Sequence, residues 1–443
     1  MLVCYLMSET FSTPSLSEAT FGKRGNVTLP CVPTESPPSG DDLNRQRCKN
    51  CSDTTTNENN ESEIYPTVDS WDKLNIGVDL LRGIYAYGFE SPSDIQKKAI
   101  LPIISGRDTI AQAQSGSGKT GAFSIATLHK VDVSKNVVQA IIIVPTHELA
   151  KQIQGVITSI GSFLDKLNVK LIIGGTSIQQ DAAELRNNPP HIIVGCAGRI
   201  YDMVVRKHLN LSTIKLVVLD EADEMLSKGF KDQIYNIFQN FSPEIQVALF
   251  SATLPDEILN LTRRFMINSV KIVMKKEDIS VAGIKQYFVA LNDDRSKYET
   301  LKGLFSMISV SQCIIYCNSV KRVVDLYQAM TDEGFSVCCI HSNMNKIERD
   351  AAFQSFKTGA FRVLISSDIT ARGIDVQQVQ VVVNFDVCKD VSTYIHRVGR
   401  SGRFGRIGCA INFITRKDVF YMKKIENYYK INIEELPGDF KGV

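Results

Sequence analysis

Residues Ala113–Thr120 read AQSGSGKT and stand between an apolar run, Asp108–Ala113, and a helix-like run, Gly121–Lys130. Strand, glycine-containing loop and helix in that order are the setting a phosphate-binding loop requires. Gly116 and Gly118 let the backbone turn back, so that successive N–H groups face one anion with a helix N-terminus behind them. Lys119 is placed to reach the β- and γ-phosphates, and the Thr120 hydroxyl to hold Mg2+. Ala113 stands where the usual GxxxxGK[ST] pattern has its first glycine, so the octamer taken alone also fits a Gly/Ser turn with a surface lysine.

The second stretch decides between those readings. Leu216–Met225 reads LVVLDEADEM: four apolar residues of a buried strand, then carboxylates where the strand ends. Asp220 is placed to hold Mg2+, directly or through water, and Glu221 to orient and deprotonate an attacking water. With a phosphate loop upstream, the chemistry implied is phosphoryl transfer to water.

The chain has 443 residues, enough for two or three domains, and its 44% apolar and 22% charged content is that of a soluble globular protein. A formal charge of +2 gives no global excess for binding nucleic acid, so any such contact belongs to a local groove. The eleven cysteines include the neighbours Cys338 and Cys339 and fit reduced, buried thiols better than a disulfide framework. No apolar run has transmembrane length, and the opening MLVCYLM lacks the basic flank and long core of a signal peptide. Residues 1–62 are rich in Ser, Thr, Asn, Pro and Glu without periodicity and read as a disordered tail. Cys48 and Cys51 form a lone CxxC there: a zinc pair, or a coincidence of sequence.

From Trp71 the texture changes, with helical spacing through Leu74–Tyr87 and then GFESPSDIQ at Gly88–Gln96. Strands are expected near Val138–Val144, Val169–Ile173, His191–Val194, Leu216–Leu219 and Gln246–Phe250, alternating with helices. A second series has strands near Tyr287–Leu291, Cys313–Tyr316, Ser336–Ile340, Arg362–Ile365, Val379–Asn384 and Ala410–Ile414. The pattern predicts an α/β protein of two parallel-sheet lobes. The expected division is 63–275 for the first lobe, a polar connector at 276–283 and 284–443 for the second. A cleft between such lobes is a usual place for a ligand. Tyr394–Arg406, YIHRVGRSGRFGR, reads in isolation as a basic surface loop. Opposite a phosphate loop, Arg400 and Arg403 read better as arginine fingers on the γ-phosphoryl, which requires both lobes to close.

These residues together resemble the DEAD-box RNA helicases from about Trp71 to the C-terminus. The motifs are DEAD at Asp220–Asp223, Ser251-Ala252-Thr253, ARGID at Ala371–Asp375 and HRVGRSGR at His396–Arg403, in the family's order. The resemblance implies two RecA-like lobes and an ATP-dependent RNA helicase that uses Mg2+. It also implies local, non-processive strand separation by closed lobes that bend one strand. For the nucleotide it implies Gln96 on the adenine, Trp71 as the isolated aromatic near the base, Ser115, Gly116, Ser117, Gly118, Lys119 and Thr120 on the phosphates, and Gly373 and Asp375 from the second lobe. Asp223, Ser251, Ala252, Thr253 and His396 would couple the ATP site to the second lobe. On the RNA face it points to Pro145, Thr146, His147, Gly174, Gly175, Arg199, Asn318, Arg349, Ser367 and Asp368, gripping phosphates and 2′-hydroxyls without reading sequence.

Within the family, KGFK at Lys228–Lys231, IDVQQV at Ile374–Val379 and IEELP at Ile433–Pro437 look more like the translation-initiation branch, while SATLP at Ser251–Pro255 and GRSGR at Gly399–Arg403 also suit the exon-junction branch. The translation-initiation branch implies messenger RNA, initiation-factor scaffold proteins as partners, a cytoplasmic monomer and no membrane; the exon-junction branch would imply a nuclear, slowly turning clamp. Departures concentrate on the RNA side. The family's PTRELA is PTHELA, so His147 replaces an arginine, and TPGR is CAGR, with Cys196 and Ala197. Lys346 stands where the family has glutamine, with Arg349 kept, and Asp94 replaces a small apolar residue on the ATP side. The departures imply normal ATP binding with weaker RNA grip, unless Lys346 supplies compensating charge.

Overall fold

The computed structural model describes residues 66–114, 116–227, 229–274, 284–307, 312–368, 379–402, 408–438 and 440. The tail with Cys48 and Cys51, the connector at 276–283, Ser115, Gly373, Asp375 and Arg403 lie outside the described residues.

The first lobe runs from a 3-10 turn at Trp71–Lys73 through helices α1 (Val78–Ala86) and α2 (Asp94–Ile104) to strand β1 (Thr109–Gln112) and helix α3 (Lys119–Lys130). It continues as β2 (Ala140–Val144), α4 (His147–Ile160), β3 (Val169–Ile172), α5 (Ile178–Asn187), β4 (Ile192–Cys196) and α6 (Ala197–Val205). After β5 (Leu216–Asp220) come α7 (Ala222–Ser227), α8 (Lys231–Gln239), β6 (Gln246–Ser251), α9 (Asp256–Phe265) and β7 (Val270–Val273). The second lobe comprises β8 (Ile284–Ala290), α10 (Ser296–Met307), β9 (Gln312–Tyr316), α11 (Val320–Asp332), β10 (Val337–Ile340), α12 (Lys346–Lys357) and β11 (Val363–Ser366). It ends with β12 (Val379–Asn384), α13 (Val391–Val398), β13 (Gly408–Ile414), α14 (Val419–Tyr429) and β14 (Glu434–Glu435).

The two parallel sheets have strand orders β3-β4-β2-β5-β6-β1-β7 and β10-β11-β9-β12-β13-β8-β14. Strand β2, AIIIV, shows why such runs read as near-continuously apolar: every residue is buried, because helices cover both faces. Successive side chains point to opposite faces. Ile142 and Val144 therefore join the core with Phe123 and Phe250, while Ile141 and Ile143 join Phe238 and Leu249 on the other face. Fully burying one such side chain contributes about 1.5–3 kcal/mol, so removing two adjacent ones takes away much of a lobe's net stability.

The two-lobed α/β expectation is met, with local differences. The helix expected from Leu74 begins at Val78, because Leu74 closes the 3-10 turn and Gly77 stays extended as its N-cap. Edge strands β7 and β14 escaped the sequence reading; VKIV in β7 is half-exposed and only four residues long. No described helix is long and apolar enough to cross a membrane.

Candidate active site

In each sheet the loops that carry the motifs leave the C-terminal ends of the strands, where ligands bind in open α/β folds. Strand order divides that rim in the first lobe. Neighbours β5, β6 and β1 deliver Asp220–Glu221, Ser251–Thr253 and the glycine loop, while β3, β4 and β2 deliver Gly174–Gly175, Cys196–Arg199 and Pro145–His147.

The glycine loop behaves as its composition requires. Gly116 and Gly118 have φ of 85° and 101°, the left-handed region that other residues avoid. A Cβ on Gly118 would also lie 2.5 Å from Ser93 Oγ and 2.9 Å from Gln96 Nε2. Helix α3 starts at Lys119, two residues earlier than expected, which aims its N-terminus into the loop. Lys119 is buried; its Nζ lies 3.6 Å from Glu221 Oε1 and has no hydrogen-bond partner among the described residues. A buried ammonium in that state fits a phosphate.

The nucleotide-base end contains one aromatic, Phe89, beyond the expected Gln96 and Trp71. Gln96 Oε1 accepts from Ser93 N at 2.8 Å, and Nε2 donates to Gly118 O at 3.2 Å. One amide hydrogen and one lone pair remain for a base. Trp71 is fully buried, donating from Nε1 to Phe89 O at 3.0 Å and stacking on that ring at 6.3 Å between centroids. It therefore supports Phe89, and Phe89 is the aromatic beside the site, the atoms of its ring 2.9 Å from a Cβ built on Gly121. The sequence reading missed Phe89; its signal was an aromatic seven residues before Gln96.

Asp220 and Glu221 close strand β5, and Glu221 takes φ 53°, rare for a residue with a Cβ. Strain of this kind clusters at functional sites, and here it turns the carboxylate toward Lys119. Burial above all pushes the Asp220 carboxyl up to about 7; Lys119 pulls it down, and the Glu221 and Asp223 carboxylates push it further up. Asp220, Glu221, Asp223 and Glu224 are all buried. That surplus of negative charge around Asp220 is a donor set suited to a divalent cation.

Asp223 ties three segments together. Its N–H donates to Ser251 Oγ at 3.3 Å, its Oδ2 accepts from Thr253 Oγ1 at 2.7 Å, and His396 Nε2 of the second lobe lies 3.3 Å from the same oxygen. His396 Nδ1 is 3.6 Å from Glu221 Oε2. Ala252 packs in one apolar cluster with Val387, Cys388, Tyr394 and Ile395 of the second lobe. Arg400 is buried beside this node and donates from Nε to His396 O at 3.0 Å. Among the described residues, Glu221, Asp223 and His396 each bring a ligand atom within 4.8 Å of the others.

On the other half of the rim, several expected RNA contacts are engaged inside the protein. The Arg199 guanidinium is 2.7 Å from Asp181 Oδ2 and 2.9 Å from both Thr176 Oγ1 and Thr176 O, so it braces the loop after Gly174–Gly175. Asn318 donates to Val387 O at 2.8 Å and accepts from Arg397 at 2.8 Å; the fully buried Arg397 also holds Asp368 at 2.6 Å. Arg397, which the sequence reading gave no separate role, thus organises two expected contacts. Thr146 caps α4 through Leu149 N, and Arg349 lies 3.5 Å from Glu148. His147 sits against Gly174, where an added Cβ would come within 3.2 Å of Nε2. Cys196 is the N-cap of α6 and makes no side-chain cap bond.

Residues 93–261 match the family described as DEAD/DEAH box helicase, and residues 296–405 match the helicase conserved C-terminal domain. The chain belongs to the DEAD-box helicase family. Over 85% of its length it is 48% identical to eukaryotic initiation factor 4A of Caenorhabditis elegans, covering 93% of that protein. It is equally identical over the same share to the ATP-dependent RNA helicase eIF4A of Neurospora crassa, covering 94%. Among solved structures, Saccharomyces cerevisiae Dbp5 bound to RNA and ADP BeF3 superposes with a TM-score of 0.78 at 35% identity, covering 84% of this chain and 96% of that one. The activity class is therefore ATP-dependent RNA helicase.

Proposed function

We propose that the protein is an RNA-stimulated ATPase that opens short RNA duplexes locally during translation initiation, one closure per ATP. The observation that carries the cycle is the node at Asp223. A single carboxylate oxygen is shared by Thr253 of the first lobe and His396 of the second. Closing the lobes therefore completes the site at the carboxylates that face the phosphate loop.

In this reading Gln96 and Phe89 take the base, and the loop Ser115–Thr120 with Lys119 takes the phosphates. Thr120 and Asp220 hold Mg2+, which when bound neutralises charge on the transferring phosphoryl group. Glu221 orients and deprotonates the attacking water, and Arg400 with Arg403 stabilises the charge that develops. Gly373 and Asp375 complete the nucleotide contacts. Pro145, Thr146, His147, Gly174, Gly175, Ser367 and Asp368 line the RNA face, which Arg199, Asn318 and Arg349 shape from behind. The likeness to initiation factor 4A from Caenorhabditis elegans supports a place in initiation. The same reading takes scaffold proteins of that pathway as partners, a cytoplasmic location and a monomeric state.

Steady-state ATPase with and without single-stranded RNA tests the cycle, with Glu221→Gln as control. The expected result is RNA stimulation in the native protein and turnover at least about 100-fold lower in the variant, with ATP still bound. ATP binding without stimulation by RNA would overturn the helicase cycle and leave an ATP-gated clamp.

A further inference from the structure

Two helices meet across the lobes behind the RNA face. In α4, Glu148 and Lys151 are three residues apart and share one side of the helix. In α12, Arg349 and Asp350 answer them with the opposite charges. Lys151 Nζ lies 2.5 Å from Asp350 Oδ2, and Arg349 Nη1 lies 3.5 Å from Glu148 Oε1. The seam begins at Glu148, the residue after His147, so it forms only when the lobes stand closed over that part of the rim.

We propose that Lys151 and Asp350 are positioning residues for the ATP-driven cycle: an inter-lobe ion pair that favours the closed arrangement and so links ATP binding to RNA binding. This rests on the cycle proposed above. Neither residue is needed to build its own lobe. Helix α4 is anchored by Leu149, Ile153, Ile157 and Ile160 and α12 by Phe356, all buried, while Lys151 and Asp350 keep 35% and 40% of their side chains exposed. The neighbouring Glu148–Arg349 pair is more buried, at 19% and 18% exposure, and Glu148 also lies in the first turn of α4, where it complements the helix dipole. Variants there would mix effects. Lys151 and Asp350 give the cleaner measurement.

The experiment compares the native protein with Lys151→Glu, Asp350→Lys and the double exchange. Two quantities are read: RNA affinity in the presence of a non-hydrolysable ATP analogue, and the inter-lobe distance from a pair of fluorescent labels. Each single variant replaces attraction by repulsion and is expected to weaken analogue-dependent RNA binding about ten-fold at low salt, less at high salt. ATP affinity without RNA and the melting temperature should stay as in the native protein, and the double exchange should recover RNA affinity to within about two-fold. Single variants that bind RNA and close as the native protein does would overturn the proposal, and so would a double variant that adds the two losses. A native protein that closes on RNA without RNA-stimulated turnover would instead overturn the proposed cycle. The charge-exchange series would still report on the ion pair through the label distance.

Discussion

The two halves of the first lobe's rim use the same architecture in opposite ways. Around β5, β6 and β1, charged side chains are buried with their charges only partly compensated inside the protein: Lys119 faces Glu221 at 3.6 Å but lacks a hydrogen-bond partner among the described residues, and burial drives Asp220 up to about 7. Around β3, β4 and β2, the charges are already matched: Arg199 is held by Asp181, and Glu148 is opposed by Arg349 of the second lobe. The first arrangement stores electrostatic free energy that a ligand of the right charge relieves. The second offers shape, backbone groups and a braced loop. That division fits the proposed function, in which the first half takes a triphosphate and the second holds RNA without reading its sequence.

The largest effect expected from this contrast is on stability and its pH dependence. The Asp220 carboxyl is raised above its unfolded value, so the folded state holds its proton over a pH range where the unfolded chain has lost it. Its contribution is fully present below about pH 4 and is lost as the pH rises through about 7. Asp220→Asn keeps an oxygen for the Glu221 N–H bond, now 3.0 Å. Without nucleotide or metal, the variant should be more stable than the native protein at pH 8 by roughly one to a few kcal/mol, and the gain should vanish near pH 4, while ATPase is lost. Denaturant titrations at the two pH values check this; equal gains at both would separate the effect from ionisation.

That prediction rests on residues legible in the sequence, and the reason is chemical. A phosphate loop and a DEAD strand end place scarce residue types at fixed spacings, so Lys119, Asp220 and Glu221 could be singled out before the fold was seen, while the link from Asp223 to Ser251 and Thr253 came only from the family resemblance. The parallel sheets were legible because strands buried on both faces are apolar throughout. What escaped depends on contacts between distant segments. Trp71 reads as an isolated aromatic near the base, and only the fold shows that it packs there through Phe89. Arg199 and Asn318 read as RNA ligands, and only the fold shows that Asp181 and Arg397 also hold them. Residues that serve by holding another residue carry no spacing of their own.

On the matched half of the rim a smaller effect is expected. His147 lies against Gly174 at the start of α4, and an imidazole, unlike a guanidinium, carries little charge near neutral pH. His147→Arg adds one permanent cation to a rim whose Arg199 is already held by Asp181. RNA affinity in the presence of an ATP analogue should rise about ten-fold at low salt, with a steeper salt dependence and no change in ATP affinity. Binding isotherms across a salt series decide it. An unchanged slope would mean that the new charge is taken up by Glu148 or another neighbour, and that the RNA face is set by shape alone.

The smallest effect concerns Cys196 and separates architecture from grip. It occupies the N-cap of α6 with φ −92° and ψ 143°, the extended conformation a cap needs, yet offers no side-chain bond to the helix. Burial pushes its thiol up to about 12, with Glu148 adding to the rise, so it remains a neutral sulfhydryl and a poor acceptor. Threonine in the same conformation can accept from the backbone N–H two or three residues on and satisfy one of the helix's open donors. Cys196→Thr should therefore stabilise the protein by about 1 kcal/mol, seen as a higher denaturant midpoint at unchanged slope. If the hydroxyl serves only the helix, RNA affinity should move by less than about three-fold. A gain in RNA affinity without a gain in stability would reverse that assignment and return position 196 to the RNA face.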